Sequence, residues 1–386
     1  MKGSPRIRKS RPRRDAAPIA SSRESAAQIA AAPIPPEATP AQLGFRFPAE
    51  WEKHEATWVS WPHHTADWPG KFSAIPWVFG EVVRHLVPGE KARVLVQSAA
   101  HEKRARELLN RIGVSDGHVD FHRIPTDRAW TRDFGPIFLR REGELAVAGF
   151  HFSGWAKYKN CRLDAVVARH ASANLGYPFF PVEVNGRKFV LEGGSIDVNG
   201  RGTLVTTEEC LLDQQVQPRN PGLSRQEVER VLADYLGVSN VLWLGRGIAG
   251  DDTHGHVDDL CRFVNARTVV LCGEANPHDA NYQPLGENRE RVEGMRLEDG
   301  SRVEAVPLPM PAPVYFDGQR LPASYANFYI ANAAVLVPTF NDPNDRIALG
   351  TLSELMPDRP VIGIHALDLV WGLGTLHCLT QQQPWP

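Results

Sequence analysis

The chain has 386 residues, 42.8 kDa, with 42% hydrophobic and 23% charged residues, which describes a globular protein able to bury a core and excludes disorder throughout. No run of about 18 apolar residues excludes a membrane-spanning helix, and five cysteines without a CxxC pair argue against a disulfide scaffold or thiolate zinc finger, fitting a reducing, cytoplasmic setting. Residues 1–40 carry eight Lys/Arg against Asp15, Glu24 and Glu37, so a chain of net charge −2 has a basic tail of +5 and an acidic body of −7, which favours cationic small molecules over nucleic acid.

The tail, KGSPRIRKSRPRR followed by Pro/Ala/Ser-rich sequence, has no apolar periodicity and is expected to be disordered. A solvated extension is preferred over a nucleic-acid or membrane-surface patch, and Arg13-Arg14 lacks the apolar segment of an export signal. Residues 41–386 then form one domain. A helical stretch lies near Trp77–Val87, a buried strand over Ala92–Gln97, and a helix from about 101 closed by Gly113. Further helices open near Leu163, at Ser224 with a capping box to Glu227, near Gly286 and near Pro343.

The starts at 101, 163, 224, 286 and 343 are spaced by roughly 62, 61, 62 and 57 residues, which predicts a fivefold α/β repeat with the stretch at 77–87 outside it. Strands inside and helices outside a radial arrangement would bury every apolar face in one closed body; an open α/β sheet is the alternative.

Five segments combine glycine with polar side chains as loops around a site would: DRAWTRDFGP (127–136), LEGGSIDVNG (191–200), GDDTHGHVDD (250–259), SYANFYIAN (324–332) and GLGTLHCLTQQQP (372–384). Asp133, Glu192, His256 and Cys378 fall roughly 29 to 35 residues past their helix starts, so a repeat would aim two carboxylates, an imidazole and a thiol into one cleft. Taken singly, Asp133 reads as a surface ion-pair residue and Trp130 as core. Cys161, Cys210, Cys261 and Cys272 read as inert small hydrophobes. Cys378, among glycines and amides, suits an accessible thiolate; adjacent side chains on an extended segment point apart, so His256 and not His377 is its expected partner. His254, His256 and Asp258 would share one face of a strand and suggest a metal-dependent hydrolase, but the HxHxDH pattern stops at Leu260.

Asp133, Asp258 and Asp252 in one cleft repel one another unless a cation lies between them. A guanidinium, always charged and planar, is gripped in bidentate fashion by two carboxylates with its carbon facing a thiolate. Attack by Cys378, protonation of the leaving nitrogen by His256 and hydrolysis of a thiouronium would give a ureido product and ammonia without metal or organic cofactor.

WTRDFGP, LEGGSIDVNG, DDTHGHVDD, YANFYIAN, FNDPNDR and GLGTLHCLTQQQP together resemble the agmatine deiminase family, also described as Porphyromonas-type peptidylarginine deiminases, of the guanidine-modifying (pentein) superfamily. The resemblance covers about 43–385. It implies a fivefold pseudosymmetric ββαβ propeller and conversion of agmatine to N-carbamoylputrescine and ammonia. It further implies Cys378 as nucleophile, His256 as acid/base, Glu192 as its partner, Asp133 and Asp258 as guanidinium clamp, and Asp252 and Trp130 as substrate-positioning residues. GLGTLHC stands where the agmatine enzymes read GGGNIHC, with Leu373 for Gly and Thr375 for Asn, and HFSGWAKY (151–158) where they read FNAWGGKY. Those changes leave agmatine, another guanidino compound and peptidyl arginine open as substrates, and the oligomeric state is not legible.

Overall fold

The computed structural model describes residues 38–386, and Thr39–Pro386 form one compact unit. The expected disorder of residues 1–37 lies outside the described residues. No helix among those described is long and apolar enough to cross a membrane.

Most described strands fall into five mixed sheets that share one connectivity. In each, an antiparallel pair is followed by a helix and a third strand parallel to the second. The second sheet pairs Ile137–Arg141 with Glu144–Gly149, then Phe179–Pro181 after helix Val167–Leu175. The third uses Asp197–Val198, Thr203–Thr207, helix Arg225–Leu236 and Asn240–Leu244. The fourth uses Cys261–Phe263, Thr268–Gly273, helix Tyr282–Gly294 and Glu304–Pro309. The fifth uses Tyr329–Ile330, Val335–Thr339, helix Asn344–Leu355 and Val361–His365.

The first sheet joins distant parts of the chain. Thr380–Pro384 lies antiparallel to His54–Ser60, with Thr57 opposite Gln382, and Lys91–Leu95 and Val119–His122 continue it in parallel. Helix Ile75–Leu86 makes the crossover equivalent to those of the other sheets; helix Ala99–Arg111 serves an extra one. The sequence series therefore counted the wrong first helix: the stretch at 77–87 belongs to the repeat, and the helix at 101 is the addition. The sheets are separate and, among the described residues, none closes on itself.

Local sequence explains the elements. Helix Ile75–Leu86 buries Ile75, Phe79, Val82, Val83 and Leu86 at helical spacing. Helix Arg225–Leu236 starts with the predicted Ser224/Glu227 capping box and ends at Gly237 with φ +69°, where a Cβ would come within 2.9 Å of the Phe45 carbonyl. The fourth helix starts at Tyr282, ahead of the expected 286, because Pro284 falls in its first turn, where a missing N–H costs nothing. Trp58, Trp68, Phe79, Phe138, Phe263 and Phe328 anchor the larger core; Phe45, Phe180, Phe189, Leu204 and Trp243 centre a second under the second and third sheets. Each such buried side chain contributes about 1.5–3 kcal/mol.

Candidate active site

Each sheet's first strand is preceded by a short turn, and these turns carry the site. Thr131–Phe134 presents Asp133, Gly193–Ser195 follows Glu192, Val257–Asp259 follows His256, the bend at 324–327 presents Asn327, and Leu376–Leu379 presents Cys378. Their side chains meet. Nδ1 of His256 lies 3.7 Å from Asp133 Oδ1 and Nε2 lies 3.6 Å from Glu192 Oε2. Sγ of Cys378 is 3.8 Å from Asp258 Oδ2 and accepts from Asn327 Nδ2 at 3.1 Å.

Glycine makes this proximity possible. A Cβ on Gly194 would stand 2.6 Å from His256 Nδ1 and 2.8 Å from Asp133 Oδ1, and its N–H donates to Asp133 Oδ1 at 3.2 Å. Asp133 Oδ2 accepts from Trp155 Nε1 at 2.9 Å. Glu192 accepts from Arg219 Nε at 3.3 Å on both oxygens.

The electrostatics are lopsided. Burial, reinforced by Asp258 and Glu192 and opposed by His256, pushes Asp133 up to about 6. Glu192 is buried, yet Arg219 and His256 hold it below the usual carboxylate range. Burial alone would neutralise His256, but Asp133 overrides it, with Cys210 and Glu192, and keeps the ring an imidazolium. Burial, then Asp258, Asp259 and Asp133, raises Cys378 well above an ordinary thiol, so these surroundings favour S–H. Both ring nitrogens of His256 and Oδ1 of Asp258 are buried without a hydrogen-bond partner among the described residues.

A cavity lined by Arg128, Trp130, Asp133, Trp155, Tyr158, Asp252, Thr253, Leu373 and Cys378 leads to this cluster. Trp130 is buried, with its ring centroid 5.4 Å from that of Trp68. Asp252 is at the mouth, in contact with Lys157 Nζ and accepting from Tyr158 Oη at 2.6 Å. Leu373 adopts φ +69°, and Trp155 and Ala156 adopt +58° and +55°. At these positions the backbone keeps the left-handed form that glycine favours, at roughly 1–2 kcal/mol per non-glycine residue.

His254 does not join the others. Its segment is a turn, not a strand: at φ +65° His254 faces Asp213 (3.4 Å) and Glu209 (3.9 Å) instead. Among the described residues, the possible metal-ligand clusters are Glu192–Cys210–His256 and Asp258–Asp259–Cys378, and neither contains His254. Cys210 is thus no anonymous core residue, since it stands beside the imidazole. Sequence reasoning also missed Asn327, which has no reactive group of its own but binds the thiol, accepts from Thr375 Oγ1 (2.7 Å) and donates to Asp259 (3.0 Å). His377 turns from the thiol, bridging Asp258 Oδ2 (2.7 Å) and Glu50 Oε2 (2.8 Å).

The family model for Porphyromonas-type peptidyl-arginine deiminase matches residues 46–384. The agmatine deiminase of Pseudomonas aeruginosa (strain LESB58) is 35% identical over 379 residues, covering 91% of this chain and 98% of that protein. The solved agmatine deiminase of Enterococcus faecalis superposes with a TM-score of 0.82 at 31% identity, covering 90% of this chain and 98% of that one. A cysteine-to-serine variant of the C. jejuni agmatine deiminase, solved with substrate bound, gives 0.78 at 30% identity, covering 88% and 96%. The chain belongs to the family of Porphyromonas-type peptidyl-arginine deiminases and agmatine deiminases.

Proposed function

We propose that this protein hydrolyses the guanidinium of agmatine to N-carbamoylputrescine and ammonia. The observation that carries the reading is a buried cluster of carboxylates with unsatisfied oxygen and nitrogen atoms grouped around one thiol. The relatives' activity supports agmatine as the substrate. Five ββαβ units set radially around the cavity, as the family resemblance implies, account for the five turns that converge there.

The guanidinium binds between Asp133 and Asp258, and the unpartnered Asp258 Oδ1 receives one of its N–H groups. Its charge offsets the aspartates that hold Cys378 as a thiol, so the S–H proton passes to solvent and the thiolate forms where Asn327 donates to it. Sulfur attacks the central carbon. His256, an imidazolium kept charged by Asp133 and Glu192, gives its proton to the departing nitrogen, and ammonia leaves an S-alkylthiouronium. The same ring, now neutral, takes a proton from water. The resulting hydroxide attacks the thiouronium carbon, the C–S bond breaks, the hydroxyl proton returns to the sulfur to restore the thiol, and the ureido product departs. Trp130 and Asp252 position the chain of the substrate.

Purified protein incubated with agmatine releases equal amounts of ammonia and ureido product in this reading. Unimpaired turnover by Cys378→Ala would overturn the mechanism.

A further inference from the structure

The mouth of the cavity is not acidic like its floor. Two cations stand there with two anions, and the pairs are already made. Nη1 of Arg128 donates to Asp67 Oδ1 at 2.5 Å, and Lys157 meets Asp252. Tyr158 also donates to Asp252, so the one carboxylate that lines this opening has both oxygens engaged. An ammonium at the far end of a guanidino compound therefore meets, in Asp252, a carboxylate already shared with Lys157 and Tyr158, and beside it the two cations.

Arg128 has donors to spare. A guanidinium carries five N–H groups. Among the described residues, the Arg128 side chain makes one hydrogen bond besides that to Asp67, a longer one from Nη2 to Asn160 at 3.4 Å, and its buried Nε has no hydrogen-bond partner. Its plane is fixed by Tyr158, 4.5 Å below, and Trp155 at 5.9 Å, so the fork is already oriented. It lines the same cavity as Cys378 and Asp133.

We infer that this mouth selects for a carboxylate at the far end of the substrate, that Arg128 is the residue that reads it, and that the enzyme hydrolyses ω-guanidino carboxylates alongside agmatine. The inference rests on the reading of the site as a guanidine hydrolase. The chemistry at the floor is unchanged: a guanidinium C–N bond breaks, water supplies the ureido oxygen, and the nitrogen leaves as ammonia. The carboxylate takes no part beyond binding.

The test compares 4-guanidinobutanoate with agmatine, which place opposite charges at similar reach, by kcat/KM in the wild-type enzyme and in Arg128→Gln. The wild type turns over both. In the variant the carboxylate loses its partner while the ammonium loses a repelling charge, so the ratio of kcat/KM for 4-guanidinobutanoate to that for agmatine falls at least tenfold. A ratio unchanged within twofold, or no turnover of 4-guanidinobutanoate by the wild type, overturns the inference while leaving agmatine hydrolysis intact. A wild type that turns over neither agmatine nor 4-guanidinobutanoate removes the guanidine-hydrolase reading instead. Because Arg128→Gln strands the buried Asp67, the double variant Asp67→Asn, Arg128→Gln removes the pair together, and the same tenfold fall is expected there.

Discussion

Two ionic networks lie back to back in this molecule and are finished to different degrees. Behind the site, Glu50 accepts from Arg262 Nη2 (2.8 Å), Arg132 Nη2 (3.0 Å) and the Ile330 amide (2.8 Å), and contacts His377 Nε2 at 2.8 Å. Arg262 also binds Asp197 and the Phe328 carbonyl, and Arg132 binds Gln382. None of the side-chain atoms of these two arginines or of Glu50 is left unpartnered, and despite burial the surrounding cations hold Glu50 well below the usual range. In front, Asp133, Asp258, Asp259 and Glu192 face Arg219 and His256, with orphaned atoms on His256 and Asp258 and with Asp133 and Asp259 pushed up by burial. The closed network is scaffold. The open one lacks a positive charge, and that deficit describes the ligand.

The contrast is sharpened first by removing the nucleophile. Cys378→Ala lowers kcat by about 10⁴-fold or more, read as ammonia release, with the fold intact by circular dichroism. Asp258→Asn, which removes one arm of the clamp and the anchor of His377, lowers kcat/KM by about 10²–10³-fold, the cost of truncating a buried charge partner. Glu50→Gln moves stability instead: unfolding in denaturant loses about 3–5 kcal/mol while kcat falls less than in the site variants. A Glu50→Gln protein of unchanged stability would break the division between the two networks.

How much of this was legible in the sequence follows the same division. Asp133, Glu192, His256 and Cys378 stood out because reactive side chains recur beside glycines at similar offsets, and Asp258 through the HxHxD pattern and the family resemblance; Gly194 shows why glycine is needed, since no Cβ fits between His256 and Asp133. Glu50 was invisible. It lies before the first strand with no motif around it, and its partners are 82 to 327 residues away in the chain. Asn327 was hidden by chemistry, since an amide is not a nucleophile or base, and by the hairpin Tyr315–Phe316 with Gln319–Arg320, which lengthens its unit. Four of the five sheets take the helix counted from the sequence, and the first takes Ile75–Leu86 instead, because the extra crossover of Ala99–Arg111 shares the same amphipathic pattern. His254 was misplaced because a left-handed residue breaks the alternation on which the shared face depended.

Two smaller effects refine the comparison. Asp133 grips a cation only when ionised, and its folded value is raised to about 6, so kcat/KM falls about tenfold per unit as pH drops below 6 and is restored above it. A flat profile down to pH 5 would deny Asp133 its part in the clamp. Leu373→Gly relieves a left-handed backbone at the rim and alters kcat/KM by only a few fold, with a gain in thermal stability as the expected sign.

The most direct test of the cation-deficient cluster around a latent nucleophile is acid quenching during agmatine turnover, followed by mass spectrometry of the peptide that contains Cys378. The account predicts a mass increase on Cys378 equal to agmatine less ammonia, absent when substrate is omitted. Steady turnover with no adduct on Cys378 in single-turnover samples quenched across the whole time course, or an adduct on another residue, would contradict it.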